Sequence, residues 1–229
     1  MCHVPGCTKR PGGGTFAANF TTLCGPHRQR ERRHGDAAQE PIRAAALAPY
    51  LRSLRRRQKL HPDAAAWAAL AGRWEGIVRA CNGTRKLFEA GSPMSRWDVE
   101  AAGEIVRVAG QATPSAAWQV AVAMFLMREA EPRRFPTERS FRVQLGRRVR
   151  HLAITNRGRF WHAGEGRFRL VYRDPSPRAA LLVGDLLAEA FGVAGIYFSR
   201  QDQAEVDAKA AERAAFYAAL NDVAPGIAP

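Results

Sequence analysis

The sequence predicts a mainly α-helical fold with a small metal-bound finger at its N-terminus and a C-terminal α+β part that contains a β-hairpin. Three observations lead to this prediction. Cysteine and histidine residues gather near the N-terminus, apolar residues recur at helical spacing between residues 40 and 152, and two segments of alternating residue type flank a glycine-rich turn at 163–166.

The N-terminal finger is predicted from four residues with the spacing C-x4-C-x16-C-x2-H, namely Cys2, Cys7, Cys24 and His27. Zinc takes four Cys or His ligands, and two close pairs joined by a loop let one short segment supply all of them. We therefore expect a structural zinc ion with no coordination position left open. His3 or His34 is an alternative ligand, whereas Cys81 lies on an apolar helical pattern and is expected in the core.

The residues between these ligands predict a knuckle, a turn with a short strand, and a helix. Pro5 and Gly6 favour a tight knuckle, and the glycines at 12–14 favour a turn before a strand over 16–22. Pro26 suits the first turn of a helix, where a missing N–H costs nothing. Disulfides and metal-free cysteines are the weaker alternatives, because nothing marks the chain as secreted and chance seldom gives this spacing.

This order of knuckle, hairpin and helix resembles a treble-clef finger. The Cys-x-x-x-Gly-Cys opening at 2–7, the Leu-Cys-x-x-His of 23–27 and the basic stretch 28–36 resemble a short N-terminal finger of bacterial phage and mobile-element proteins, some of which carry an HNH nuclease. The resemblance covers residues 1–36, and the usual form has a shorter central loop. It implies a structural zinc and a basic helix that contacts nucleic-acid phosphates or an acidic protein surface.

A helical body is predicted over residues 40–132. Apolar periodicity gives helices at 40–59, 62–80, 95–109 and 114–129, with Ser95 and Thr113 as N-caps of the last two. Asn82 is expected in a turn after the second helix. The stretch 118–127 is apolar nearly all round, so this helix is expected at the centre of the core.

Residues 133–200 are predicted to form a basic helix at 137–152, a β-hairpin at 159–172 and an α/β extension. The extension consists of a helix at 177–191, whose apolar residues would pack against the hairpin, and a short strand at 195–199. Residues 202–229 are expected to form an acidic helix and a frayed tail. Three helices followed by a hairpin is also the order of a winged-helix DNA reader, which we keep as a hypothesis.

The positive charge is confined to two segments. Of the net charge of +14, residues 1–60 contribute +9 and residues 133–173 contribute +10, while the rest of the chain is slightly acidic. Such blocks favour a polyanion, because each neutralised phosphate releases a condensed counterion. The predicted nucleic-acid contacts are Lys9, Arg10, Arg28, Arg30, Arg32, Arg33, Arg55, Arg56, Arg57, Arg139, Arg142, Arg147, Arg148, Arg150, Arg157, Arg159, Arg167 and Arg169.

The function expected from these features is non-enzymatic binding of double-stranded DNA by a zinc-containing protein of a phage or mobile element, in a regulatory or accessory role. RNA binding, with Phe160, Trp161, Phe168 and Tyr172 stacking on bases, and a protein-interaction adaptor are the alternatives. Acidic and histidine residues do not cluster into a second, catalytic metal site. No apolar run approaches the length of a membrane span, and we expect a cytoplasmic location, on the nucleoid if the source is bacterial.

Overall fold

The computed structural model of the chain describes residues 1–12 and 22–223. Its helices and strands in chain order are α1 (Gly25–His34), α2 (Ala44–Leu60), α3 (Ala65–Glu89), α4 (Arg96–Ala109), α5 (Pro114–Ala130), α6 (Glu138–Arg150), β1 (Arg157–His162), β2 (Arg167–Tyr172) and α7 (Pro177–Val223). The mainly helical fold with one hairpin confirms the coarse prediction of fold class. The predicted turn and strand at 13–21 and the tail at 224–229 lie outside the described residues.

Helix α5 occupies the centre of the core. Every residue from Ala117 to Met127 is buried, and α5 packs against α2, α3, α6 and α7. This confirms the prediction from its all-round apolar sequence. One buried cluster extends from Ile42 to Phe198, so the segments 40–132 and 133–200 share a single hydrophobic core.

The N-terminal ends of the central helices are capped as the sequence predicts. The Ser95 hydroxyl accepts a hydrogen bond from the Trp97 amide at 3.3 Å, and the Thr113 hydroxyl accepts one from the Ala116 amide at 3.2 Å. Each bond satisfies a backbone donor that has no partner within its helix.

Helix α3 is longer than expected. It continues to Glu89, so the prediction that Asn82 lies in a turn is wrong, and the Asn82 amide instead donates to the Val78 carbonyl at 3.0 Å within the helix. Cys81 is buried in the core as predicted, and burial raises the pKa of its thiol to about 11. This thiol is therefore protonated at neutral pH.

Residues 177–223 form one continuous helix, α7, so the predicted strand at 195–199 is wrong. Phe198 lies within α7, and its ring stacks on Trp67 with centroids 5.1 Å apart. Gly195 permits a close approach to α5, because a Cβ there would overlap the Phe125 side chain. The glycine that resembles a helix breaker in the sequence is a helix-packing position in the structure.

The apolar stripe of α7 packs on helices, and its predicted packing against the hairpin involves side chains at 157–160 and 170–172 that lie outside the described part of the structure. Val183, Leu187 and Phe191 are fully buried in the common core, where α7 contacts α3, α4, α5 and α6. At Gly184 a Cβ would overlap the Arg142 carbonyl oxygen, so this glycine sets the closest approach of α6 and α7. From residue 203 to residue 220 the side chains of α7 are exposed.

By length and composition α7 meets the criteria for a membrane span, contrary to the expectation that no apolar run approaches that length. Of its most apolar window, 39% is buried inside the protein. Core helices of soluble proteins pass the same test, so the span is weakly supported, and the cytoplasmic location stays a prediction.

Candidate metal centre and basic face

Two short segments of the finger bring the four predicted metal ligands together. Cys2 and Cys7 come from the N-terminal knuckle, Cys24 is the residue before α1, and His27 lies in the first turn of α1. Their ligand atoms all lie within 4.8 Å of one another. Among the residues that the structure describes, this is the one group of three or more potential metal ligands that lie so close.

The distances between the ligand atoms suit a tetrahedral metal ion. The Cys7 and Cys24 sulfurs are 3.8 Å apart, and the His27 Nδ1 atom lies 3.3 Å from the sulfurs of Cys2 and Cys24. Two thiolates bonded to one zinc ion at about 2.3 Å and at the tetrahedral angle lie about 3.8 Å apart. The four residues can therefore bind one metal ion. The alternative ligands His3 and His34 are not part of the cluster.

Backbone geometry explains why these residues converge. Gly6 has a φ of 75°, and the Cys7 amide donates to the Val4 carbonyl at 3.1 Å to close the knuckle. The Gly12 amide donates to the Leu23 carbonyl at 3.2 Å, which places the second pair of ligands beside the first.

The environment of Cys2 favours its metal-binding form. Desolvation raises the pKa of the Cys2 thiol, but hydrogen bonds from the backbone amides of Cys24 and Val4 and from His27 outweigh it and lower this pKa to about 6. The Cys24 amide lies 3.3 Å from the Cys2 sulfur. Because the thiolate is the species that ligates metal, the knuckle presents at least one ligand already deprotonated at neutral pH.

The finger helix is docked on α6 through its C-terminal end. Gly35 ends α1 with a φ of 84°, and a Cβ there would lie 3.1 Å from both the Arg139 carbonyl oxygen and a Val143 methyl group. Beside it, the buried His34 accepts a hydrogen bond at its Nδ1 from the Gln144 side chain at 2.9 Å. The oxygen of the same Gln144 amide accepts from the Ile42 backbone at 3.2 Å. One α6 residue thus binds both the finger and the start of the body.

An ion-pair cluster at Asp174 reinforces this contact. The carboxylate lies 3.0 Å from Arg33 on α1 and 2.8 Å from Arg147 on α6. Desolvation raises the pKa of Asp174, but the two guanidinium groups outweigh it and lower this pKa below its usual value. Asp174 therefore stays ionised and bridges the two basic segments of the sequence.

Many of the predicted nucleic-acid contacts make ion pairs or hydrogen bonds within the protein. Arg150 is 1% exposed and lies 2.6 Å from the Glu104 carboxylate, and Arg147 is 9% exposed. Neither can reach an external phosphate in this arrangement. The other engaged side chains are Arg33 with Asp174, Arg55 with Gln119, Arg56 with Glu205, Arg57 with Asp202 and Glu205, Arg142 with Glu138 and Asp185, Arg148 with the Ile42 carbonyl, and Arg167 and Arg169 with Glu165.

The predicted cations that stay accessible lie mainly on the finger. Within the described residues they make no ion pair, and all are exposed except Arg30, which is half-buried. They are Lys9, Arg10, Arg28, Arg30, Arg32 and Arg139, which we call the basic face. Arg28 and Arg32 are four residues apart on α1 and share one side of it. The side chains of Arg157 and Arg159 lie outside the described part of the structure.

The accessibility of the two basic helices differs. On α6, the residues from Ser140 to Arg150 are buried except Arg142 and Arg148, which are half-buried. On α1, only His34 is buried among its helical residues. Therefore α1, and not α6, has an exposed side that can enter a groove or lie along a phosphate backbone.

The residues that sequence reasoning missed are those that join the two basic segments. Asp174, Gln144 and His34 lie far apart in the chain, and no local pattern pairs them. The Gly35 C-cap position was the available signal, because a glycine after a short helix indicates where that helix ends against the body.

Searches of known protein families, curated proteins and solved structures find no match to this chain.

Proposed function

We propose that this protein binds double-stranded DNA through the basic face, with a structural zinc ion holding the finger that carries it. The observation that carries the proposal is the packing of α1 against α6. These helices belong to the two basic segments of the sequence, and Asp174 and Gln144 join them. Phosphates line both strands of a duplex, so a rigid cluster of cations suits it well.

The proposal gives the arginines two different tasks. Arg33, Arg147 and Arg150 are paired with carboxylates and fix the position of the helices. Arg28 and Arg32 project from the exposed side of α1, where guanidinium groups can donate to phosphate oxygens or to the edges of guanine bases. A cleft of about 410 Å³ lies beside Arg32 and is lined also by the Asp174 ion-pair cluster. Because Asp174 is paired with Arg33 and Arg147, Arg32 is the cation left in this lining to hold a phosphate.

Zinc is the metal we propose for the finger. Three thiolates and one imidazole form a donor set that binds zinc in preference to harder cations, which favour oxygen ligands. Four protein ligands complete the tetrahedral shell of zinc. In this role the ion supplies folding energy and leaves no position for a water molecule or substrate. The treble-clef arrangement and a regulatory or accessory role in a phage or mobile element are proposed from the resemblance of residues 2–36.

A salt titration of duplex affinity tests the proposal. Fluorescence anisotropy with a labelled 20-base-pair duplex should give a log–log slope of roughly −3 to −5, because each phosphate contact contributes about −0.9. A parallel sample treated with a zinc chelator should bind the duplex more weakly, since the finger orders the basic face. An affinity that does not change with salt would refute the proposal.

A further inference from the structure

The tip of the hairpin displays two aromatic side chains on one surface. Trp161 on β1 and Phe168 on β2 are directly paired across the ladder, and their rings meet edge to face with centroids 5.1 Å apart. Trp161 is 49% exposed and Phe168 is 57% exposed. Exposing two large aromatic rings to water is unfavourable, so a paired display of this kind indicates a ligand-binding surface.

The base of the hairpin, in contrast, is tied firmly to the body. The buried Arg150 donates to the Arg173 carbonyl at 2.8 Å, and the Asn156 side chain donates to the Arg150 carbonyl at 3.0 Å. Arg107 on α4 donates to the Asn156 side-chain oxygen at 3.2 Å. These hydrogen bonds, on both sides of the hairpin, fix its base against the body.

The charges around the aromatic pair suit an anionic polymer. Arg167 and Arg169 flank Phe168 in the chain, and both pair with Glu165, so the three charged groups of the tip carry a net charge of +1. Both arginines are at least half exposed. Successive side chains of a strand point to opposite faces, so these two guanidinium groups lie on the reverse face of the hairpin from the ring pair. There they attract an anionic polymer to the tip without contacting the base that stacks on the rings.

The base of the hairpin lies near α1, the helix that carries three cations of the basic face. Strand β2 ends at Tyr172, and two residues later the chain reaches Asp174, the carboxylate that pairs with Arg33 on α1. The aromatic pair lies four residues further along the two strands, about 13 Å from the base of the hairpin, which is less than the length of a short duplex.

We propose that Trp161 and Phe168 form a stacking site for unpaired nucleobases next to the duplex bound by the basic face. The inference rests on the proposed function and specifies its substrate class as a duplex with a single-stranded end or junction. Paired bases expose only their edges in the grooves, whereas unpaired bases offer the ring faces that aromatic side chains can stack on.

The test compares a blunt 20-base-pair duplex with the same duplex carrying a five-nucleotide overhang, made once with deoxyribose and once with ribose. The wild-type protein should bind an overhang substrate at least fivefold more tightly than the blunt one, and W161A should lose this preference while keeping the blunt-duplex affinity. W161F should restore most of the preference because it keeps a ring. F88A, which removes an exposed ring at the end of α3, is the matched control and should behave as the wild type.

A second readout does not depend on the variants. Trp67, Trp74 and Trp118 are buried and Trp97 is half-buried, so an unpaired oligonucleotide should quench mainly the fluorescence of Trp161. Equal affinity of the wild type for the blunt and overhang duplexes, or equal weakening of both by W161A, overturns the inference. If the protein binds the single-stranded overhang sequence but has no affinity for the blunt duplex, the proposed function is contradicted and the stacking site is supported. The deoxyribose and ribose arms show whether the unpaired bases come from DNA or RNA.

Discussion

The attachment of the finger to the body should weaken as the pH falls, because His34 is held neutral between α1 and α6. This residue is 9% exposed, and its Nδ1 accepts a hydrogen bond from Gln144, which an imidazolium could no longer accept. Desolvation lowers the pKa of His34 to about 4, helped by the positive charges of Arg147 and Arg33, while Asp174 opposes the shift.

The sign and size of the effect follow from proton linkage. Between pH 4 and the ordinary histidine pKa of 6.5, the unfolded chain binds more protons at this site than the folded chain. The free energy of unfolding therefore rises with pH across this window. The contribution of neutral His34 to it is fully present above pH 6.5 and is lost as the pH falls towards 4. From these two pKa values, the protein should be about 2 kcal/mol less stable at pH 5 than at pH 7.5 because of His34 alone.

Urea unfolding followed by circular dichroism, with zinc in excess, measures this contribution. The variant H34Q keeps a hydrogen-bonding side chain but cannot titrate, so the other titrating groups cancel in the comparison with wild type. Plotted against pH, the difference in unfolding free energy between the two proteins should change by about 2 kcal/mol between pH 7.5 and pH 5. Parallel pH profiles for wild type and H34Q would refute the argument that a buried neutral His34 joins the finger to the body.

Three further predictions concern the core and the metal centre. R150A should lower the free energy of unfolding by about 2–4 kcal/mol in a urea titration, because it removes one of the two guanidinium partners of the buried Glu104 carboxylate and leaves only Arg107. A loss below about 1 kcal/mol would contradict this role. G184A should lower the free energy of unfolding by about 1–3 kcal/mol, because its Cβ would overlap the backbone of α6. The control G72A, on an open stretch of α3, should leave the melting temperature unchanged or slightly raised. Metal analysis should find one zinc per chain, and C24A should lose it while retaining most of the helical signal of the body; full zinc content in C24A would exclude Cys24 as a ligand.

The parts of the fold that the sequence predicts well depend on local patterns. The all-round apolar run of α5, the caps at Ser95 and Thr113, and the glycine-rich turn of the hairpin each contain their own signal within a few residues. The metal ligands are predictable for the same reason, because their type and spacing are set by the chemistry of one ion. None of these features depends on which distant helix lies opposite.

The errors and omissions arise where distant contacts decide the structure. Gly195 and the apolar residues after it have a strand-like pattern, but the contact with Phe125 on α5 makes the position helical. On α6, neighbouring arginines have different surroundings, since Arg150 meets Glu104 and Arg147 meets Asp174. Because those carboxylates are 46 and 27 residues away, the sequence alone does not distinguish a structural arginine from an accessible one.

The proposed role of the basic face is tested most directly by two matched double variants in the duplex-binding assay. R28A/R32A removes two exposed charges from α1, and R79A/R200A removes two exposed charges from α3 and α7. Net charge falls equally in both, so a difference between them reports local contact and not long-range attraction. R28A/R32A should weaken duplex binding roughly tenfold at about 0.1 M salt and reduce the salt slope by about 2, while R79A/R200A should bind nearly as the wild type. Equal weakening by the two variants would contradict the assignment of α1 as the DNA-contacting helix.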